Sequence, residues 1–326
     1  MTFLKRVLAG LIMLALLAFP FVIYFNATAL SDWWALRGYT PPPAVASLAA
    51  QDTMLPYTKH LFYLNHPQIV SGVADFRKDC PDSTTTIVLG CYHPDQDGIY
   101  IYAVNDPQLY GVEQVTAAHE VLHAVYARLS AHDKAALDSQ LQSYYQSGLS
   151  DPQVQSEVKL YQQTEPNDVM DEMSCTFGTE IASLPPALES YYDRYFSNRQ
   201  AVVKFEQMYN GEFTSREDQI SVYASQLSSL KNQINDEEQS LQTELGQIDG
   251  DRAKLDSLRS SGQTDAYNAA VGGFNQEVSA YNAGIDTLKA DITAYNQLVD
   301  QYNSIAQELA GLEQAIDTRL TPQAAQ

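Results

Sequence analysis

Two histidines four positions apart, with a glutamate directly after the first, are the residues of this chain best suited to chemistry: His119-Glu120-Val121-Leu122-His123. On a helix, residues at i and i+4 project from one face a single turn apart, so both imidazoles can reach the same ion. Zinc accepts neutral imidazole nitrogen at about 2.0–2.1 Å, and its catalytic sites keep one position open for water. Zinc also lowers the pKa of water toward about 7, so a carboxylate placed like that of Glu120 need not be a strong base to take its proton. His119 and His123 are therefore candidate metal ligands, Glu120 a candidate general base, and Zn2+ the expected cofactor.

This chemistry requires a helix, and the flanking sequence supplies one. Val112, Val115, Leu122, Val125, Tyr126 and Leu129 form an apolar stripe, and neither Pro nor Gly interrupts residues 112–129. Upstream, residues 84–92 are β-branched and apolar, and residues 98–105 alternate apolar and aromatic side chains. Turn-forming Pro94-Asp95-Gln96-Asp97 lies between them, so a β-hairpin is predicted ahead of the helix. Downstream, Ser130 with Asp133 reads as a variant capping box for a helix ending near Gly148. A further helix is predicted over 167–183, and Pro185-Pro186 breaks it before a longer one that runs to about Tyr209.

The stretch Thr116-Ala117-Ala118-His119-Glu120-Val121-Leu122-His123-Ala124-Val125 resembles the extended signature of the zincin metallopeptidases. The resemblance covers about ten residues and one downstream helix. It implies a catalytic domain over residues 51–211 in which a strand-rich layer precedes the catalytic helix. Metzincins continue with a Gly and a third His soon after the second histidine. Here Ala124-Val125-Tyr126-Ala127-Arg128-Leu129 follows, so the chain is more similar to gluzincins, which take a glutamate from a later helix. Two candidates fit that role: Glu172, preceded by an acidic residue much as in the family's Asn-Glu pair, and Glu180, two turns further along. Glu172 is the preferred third ligand. Whichever is not the ligand can orient a histidine from behind the metal.

The rest of the chain differs in kind. Ile220, Leu227, Ile234, Leu241, Ile248 and Leu255 recur every seven residues. After Ser260-Ser261-Gly262 a second series follows: Tyr267, Phe274, Tyr281, Leu288, Tyr295, Tyr302 and Leu309. Such seams predict an antiparallel coiled-coil hairpin over 212–317, with 318–326 as a tail. At the other end, Lys5 and Arg6 precede an uncharged run over residues 7–25, long enough as a helix to span a bilayer. An uncleaved anchor over 1–30 is preferred to a signal peptide cleaved at Ala27-Thr28-Ala29, because signal cores run about 7–15 residues. Residues 31–50 are then a linker. Cys80 and Cys91 can form a disulfide in an oxidising compartment or remain two thiols, and Cys175 fills a small buried space.

Lys plus Arg number 19 against 40 Asp plus Glu, for a net charge of −21, which repels phosphate backbones and excludes nucleic acid as a partner. The sequence therefore predicts an α+β zincin-like domain between an N-terminal transmembrane helix and a coiled-coil hairpin. It would be a single-pass cell-membrane protein hydrolysing peptide or protein substrates on the extracytoplasmic side, with a protein partner on the coiled coil. The alternative is a cell-surface coiled-coil docking protein whose metal domain is regulatory or inactive.

Overall fold

The computed structural model describes residues 27–81, 87–94 and 98–319, together with Met13. Helix α1 (Ala27–Ala35) is followed by α2 (Pro43–Gln51) and α3 (Pro56–Leu64), and both of the latter begin on a proline. Proline suits a first helical turn because its fixed φ is already helical and the amide hydrogen it lacks would find no partner there. Val45, Leu48, Ala49, Leu61, Phe62 and Leu64 lie in the core, so residues 31–50, read from the sequence as a connection, contribute packed helix. Strand β1 (Gln68–Val70), helix α4 (Val73–Asp79) and strands β2 (Gly90–His93) and β3 (Gly98–Tyr102) come next. They form one sheet of order β1-β3-β2, in which β1 runs parallel to β3 and β2 antiparallel to it. Residues 84–86 and 95–97, part of the predicted hairpin, lie outside the described residues.

Helix accounts for 77% of the structure against this single small sheet, which corrects the α+β zincin-like expectation. The reason lies upstream of the helix that carries His119 and His123. Strand is confined to three short segments, β1, β2 and β3, while the apolar residues from Val45 to Leu64 are spaced for helices and fold as such. The expected single-pass membrane placement, with its extracytoplasmic catalytic side, is corrected too. Among the described residues no helix is long and apolar enough to cross a membrane. The predicted span over 7–25, Met13 apart, lies outside the described residues.

Helix α5 (Val112–Ala127) is the centre of the first compact unit, which comprises Met1–Asn210 and Ala315–Gln326. Ala117, Ala118, Val121 and Leu122 are fully buried on it. Its last turn is tied to α1 by Arg128, whose Nη1 and Nη2 donate to the two Asp32 carboxylate oxygens at 3.0 and 2.8 Å. After α6 (Ala131–Ser147), α7 (Pro152–Thr164), α8 (Val169–Glu180) and α9 (Pro186–Tyr192) follow in turn. Helix α7 was not predicted, although Asp151-Pro152 marks its start: the Asp151 carboxylate accepts from the Gln153 and Val154 amides. Helix α8 ends without a helical C-cap, and Arg199 replaces one. Its guanidinium donates to the carbonyls of Ile181 at 2.7 Å and of Gly178 and Ala182 at 3.3 Å, satisfying acceptors left open at a helix end.

Helix α10 (Arg199–Ser260) begins in this unit, and α11 (Thr264–Ile316) ends in it. The second unit, Gly211–Gln314, is an antiparallel helical hairpin turning at Gly262, whose φ of +74° suits a residue without a side chain. Arg216 pairs with Glu308, Gln233 with Asp291, and Leu241 packs against Gly284. Leu241, Leu255 and Leu312 are buried, whereas the tyrosines at 267, 281, 295 and 302 are half-buried. That is what a seam covered by one partner helix provides.

The chain after the hairpin is not all loose tail. Thr318 is 2% exposed, and its hydroxyl donates to the Val88 carbonyl at 2.7 Å and accepts from the Val88 amide at 3.2 Å. Arg77 also donates to the Thr318 carbonyl at 2.7 Å. Thr318→Ala, which removes the hydroxyl, is expected to cost about 0.5–1.5 kcal/mol, because the half-buried Val88 amide and carbonyl lose their side-chain partner. Denaturant unfolding measures this, and a variant as stable as the parent would show the contact to be idle.

Candidate metal centre

His119, Glu120 and His123 share helix α5, and Glu172, the expected third donor, lies on α8, which packs directly on it. Two close approaches make that packing possible. A Cβ added to Gly178 would lie 2.7 Å from Leu122 Cδ1 and 2.7 Å from Tyr192 Cε1, so the bare backbone there lets α5 and α9 pack close against α8. Tyr192 then fixes α8 by donating its hydroxyl to the Ser174 carbonyl at 2.7 Å.

This packing brings Glu172 between the two histidines. Its Oε2 lies 3.5 Å from His119 Nε2 and its Oε1 lies 3.5 Å from His123 Nε2. Burial pushes the Glu172 carboxyl up, but the His119 hydrogen bond and the charges of His123 and His119 outweigh it and hold the group below the usual range. Glu172 is therefore an ionised oxygen donor facing two imidazole nitrogens. Two nitrogens and one carboxylate are a donor set suited to zinc, so the residues fit the ion that the sequence implies. His119, His123 and Glu172 would hold it.

Asp171 was missed from the sequence. Its Oδ1 accepts from His123 Nδ1 at 2.9 Å, which leaves Nε2 of that ring as the nitrogen available to a metal. The signal was present, since two adjacent acids open α8. Sequence spacing alone does not show that the first faces the back of an imidazole while the second faces its front.

Cys175, read as a space-filler, stands one turn beyond Asp171. It is fully buried, and its ligand atom and those of His119 and His123 all lie within 4.8 Å of one another. Burial pushes its thiol well above the ordinary range, and the neutral S–H donates to Asp171 Oδ1 at 3.8 Å. Zinc deprotonates a thiol that coordinates it, so Cys175 can supply a further donor beside Glu172, and without the ion it supports Asp171. Cys80, Cys91 and His93 form a second cluster, but Cys80 and Cys91 are joined as a disulfide with Cα atoms 5.8 Å apart.

Glu180, the other candidate ligand, interacts elsewhere. Burial pushes its carboxyl well up, the charges of Glu157 and Glu206 add to this, and it shares a hydrogen bond with Glu157. Glu206 on α10 is likewise pushed up to about 7 by burial. Glu180 thus faces the carboxyl groups of Glu157 and Glu206 rather than the two histidines.

Two more groups complete the site. Glu120 is 5% exposed; burial raises its pKa, the two histidines lower it, and Glu172 and Asp171 add to the rise. Tyr161 on α7 feels the charges of Glu172, Glu180 and Glu157, and burial above all raises its pKa, so its hydroxyl keeps its proton. Tyr161 feels the Glu172 charge from α7, and Tyr92 on β2 stacks on His123 with ring centroids 6.4 Å apart. Helix α7 could have been found from the spacing of Val154, Val158 and Tyr161.

The chain is expected to bind a single zinc ion. Asp171→Asn should weaken that binding about 10–100-fold, as does losing a group that orients a ligating histidine. Glu172→Ala should weaken it further, and Glu180→Ala should leave it near the parent value. Chelator competition ranks the three variants; tighter binding by Glu172→Ala than by Glu180→Ala would move the ligand role to Glu180.

No known protein family, curated protein or solved structure matches this chain.

Proposed function

We propose that this protein is a zinc-dependent peptide hydrolase, with the chemistry of the zincin motif carried on a helix-dominated scaffold. The observation that supports this best is the Glu172 carboxylate, poised between His119 Nε2 and His123 Nε2 with the buried Glu120 carboxyl on the same helix as both imidazoles. The buried Glu120 carboxyl beside the two histidines is what a hydrolytic zinc site needs and a purely structural one does not.

Zinc, when bound, supplies Lewis acidity toward a carbonyl and lowers the pKa of water toward about 7. Glu120, its own pKa raised by burial, takes the proton of the attacking water and returns it to the departing amine. The Tyr161 hydroxyl, kept protonated, can donate to the carbonyl oxygen as charge develops on it. Asp171 holds the His123 ring in orientation throughout. Strand β2 is an edge of the sheet, and Gly90 on it packs against Glu120. A peptide in extended form can add to that edge through backbone hydrogen bonds and lie beside the carboxyl, which favours a peptide as substrate.

Glu120→Gln keeps the shape of the side chain but cannot take up a proton. The variant should retain zinc and lose about 10²–10⁴-fold in kcat, the usual contribution of a general base. A peptide-library cleavage assay, with elemental analysis alongside, reads both quantities. Chelation should abolish the parent activity and added zinc restore it. Undiminished cleavage by Glu120→Gln would rule out the assigned base, and no cleavage by the parent would favour a docking role.

A further inference from the structure

Strand β2 and helix α5 meet at Gly90, closer than any side chain would allow. A Cβ at this position would lie 2.6 Å from Glu120 Oε1, 2.8 Å from Glu120 Cγ and 2.5 Å from Thr116 Cγ2. Real Cβ atoms essentially never approach neighbours below 3.0 Å. Thus the space taken by the Glu120 side chain is the space that any larger residue at 90 would occupy.

Neither partner can simply retreat. On one side β2 is hydrogen-bonded to β3, with Gly90 opposite Ile101. The next residue, Cys91, is covalently joined to Cys80 at the end of α4. On the other side α5 is held by its buried face and by the Arg128–Asp32 pair. Close-packed interiors transmit even a one-carbon change, and here the most displaceable atoms are those at the end of the Glu120 side chain.

We infer that Gly90 is a positioning residue for Glu120: its missing side chain forms the wall against which the carboxyl rests and so sets where that carboxyl stands relative to His119 and His123. This rests on the proposed role of Glu120 for its catalytic consequence, though the contact itself does not. A glycine in a strand is otherwise costly, since it packs nothing and loses the most backbone freedom on folding. The close approach of the Glu120 carboxyl supplies a reason for it here.

The test separates the contact from the catalysis. Unfolding of Gly90→Ala, Glu120→Ala and the double variant, all on a Thr116→Ser background that removes the Thr116 Cγ2 contact and all stripped of zinc by chelation, forms a double-mutant cycle. On that background Gly90→Ala should lower the melting temperature, and lower it much less once Glu120→Ala has removed Cγ and the carboxyl. In the zinc-loaded protein, Gly90→Ala should keep its zinc content and KM while kcat falls about 10²-fold, the scale of a misplaced catalytic group. If Gly90→Ala does not fold, Gly90→Ala/Thr116→Ser removes the contact with Thr116 Cγ2 and leaves that with Glu120, and the same losses are expected. An equal drop in melting temperature with and without the Glu120 side chain overturns the inference, as does full kcat in a folded Gly90→Ala. Absence of hydrolysis by the parent would instead count against the proposed function, and the unfolding cycle would still decide the contact.

Discussion

The packing of helix α5 on helix α8 is the constraint on which the site depends. Each helix alone carries half a donor set, and the two halves become one only if the axes come close enough for Glu172 to reach both imidazoles. Gly178 provides the closeness, since any side chain there would strike Leu122 and Tyr192. Leu122, Val121, Met173 and Phe177, all at most 1% exposed, provide the attraction. Fully burying a side chain of this size contributes about 1.5–3 kcal/mol, so this small apolar cluster can offset the cost of enclosing charge beside it. Arg199 stops α8 from unwinding at its open end, where three carbonyls accept from one guanidinium.

Charge is the second theme. Glu120, Asp171 and Glu172 gather around two histidines, and Glu157, Glu180 and Glu206 gather close by on α7, α8 and α10. Enclosing several carboxylates is costly unless they are paired, protonated or bound to a cation. The fold divides them accordingly. Glu180 and Glu206 are pushed toward the neutral acid by burial, whereas Glu172 stays ionised because the imidazoles compensate it. A divalent cation at the histidines would complete that compensation, the same demand that makes Glu172 a good ligand.

The hairpin unit obeys simpler rules. Its two helices satisfy one seam between them, with Leu241, Leu255 and Leu312 buried and the aromatic positions of α11 half covered. Gly284 beside Leu241 shows the same device as Gly178, a missing side chain where two helices come close. The heptad spacing was legible because both helices obey one local period over their whole length.

By itself the sequence determined whatever depends on near neighbours: the helix carrying His119, Glu120 and His123, the cap at Ser130, and the seven-residue seams of the last third. It also narrowed the third ligand to Glu172 or Glu180. It misjudged the fold class, because the zincin resemblance implied a strand-rich layer ahead of the motif while the helices of residues 27–64 and α7 passed unread. Only the tertiary structure brought Glu172 rather than Glu180 to the two histidines, drew Asp171 and Cys175 to His123, and pressed Gly90 against Glu120. The physical reason is common to all of these. A carboxylate acts as ligand, support or protonated acid according to what faces it, and what faces it is set by how helices far apart in sequence pack, which no local spacing encodes.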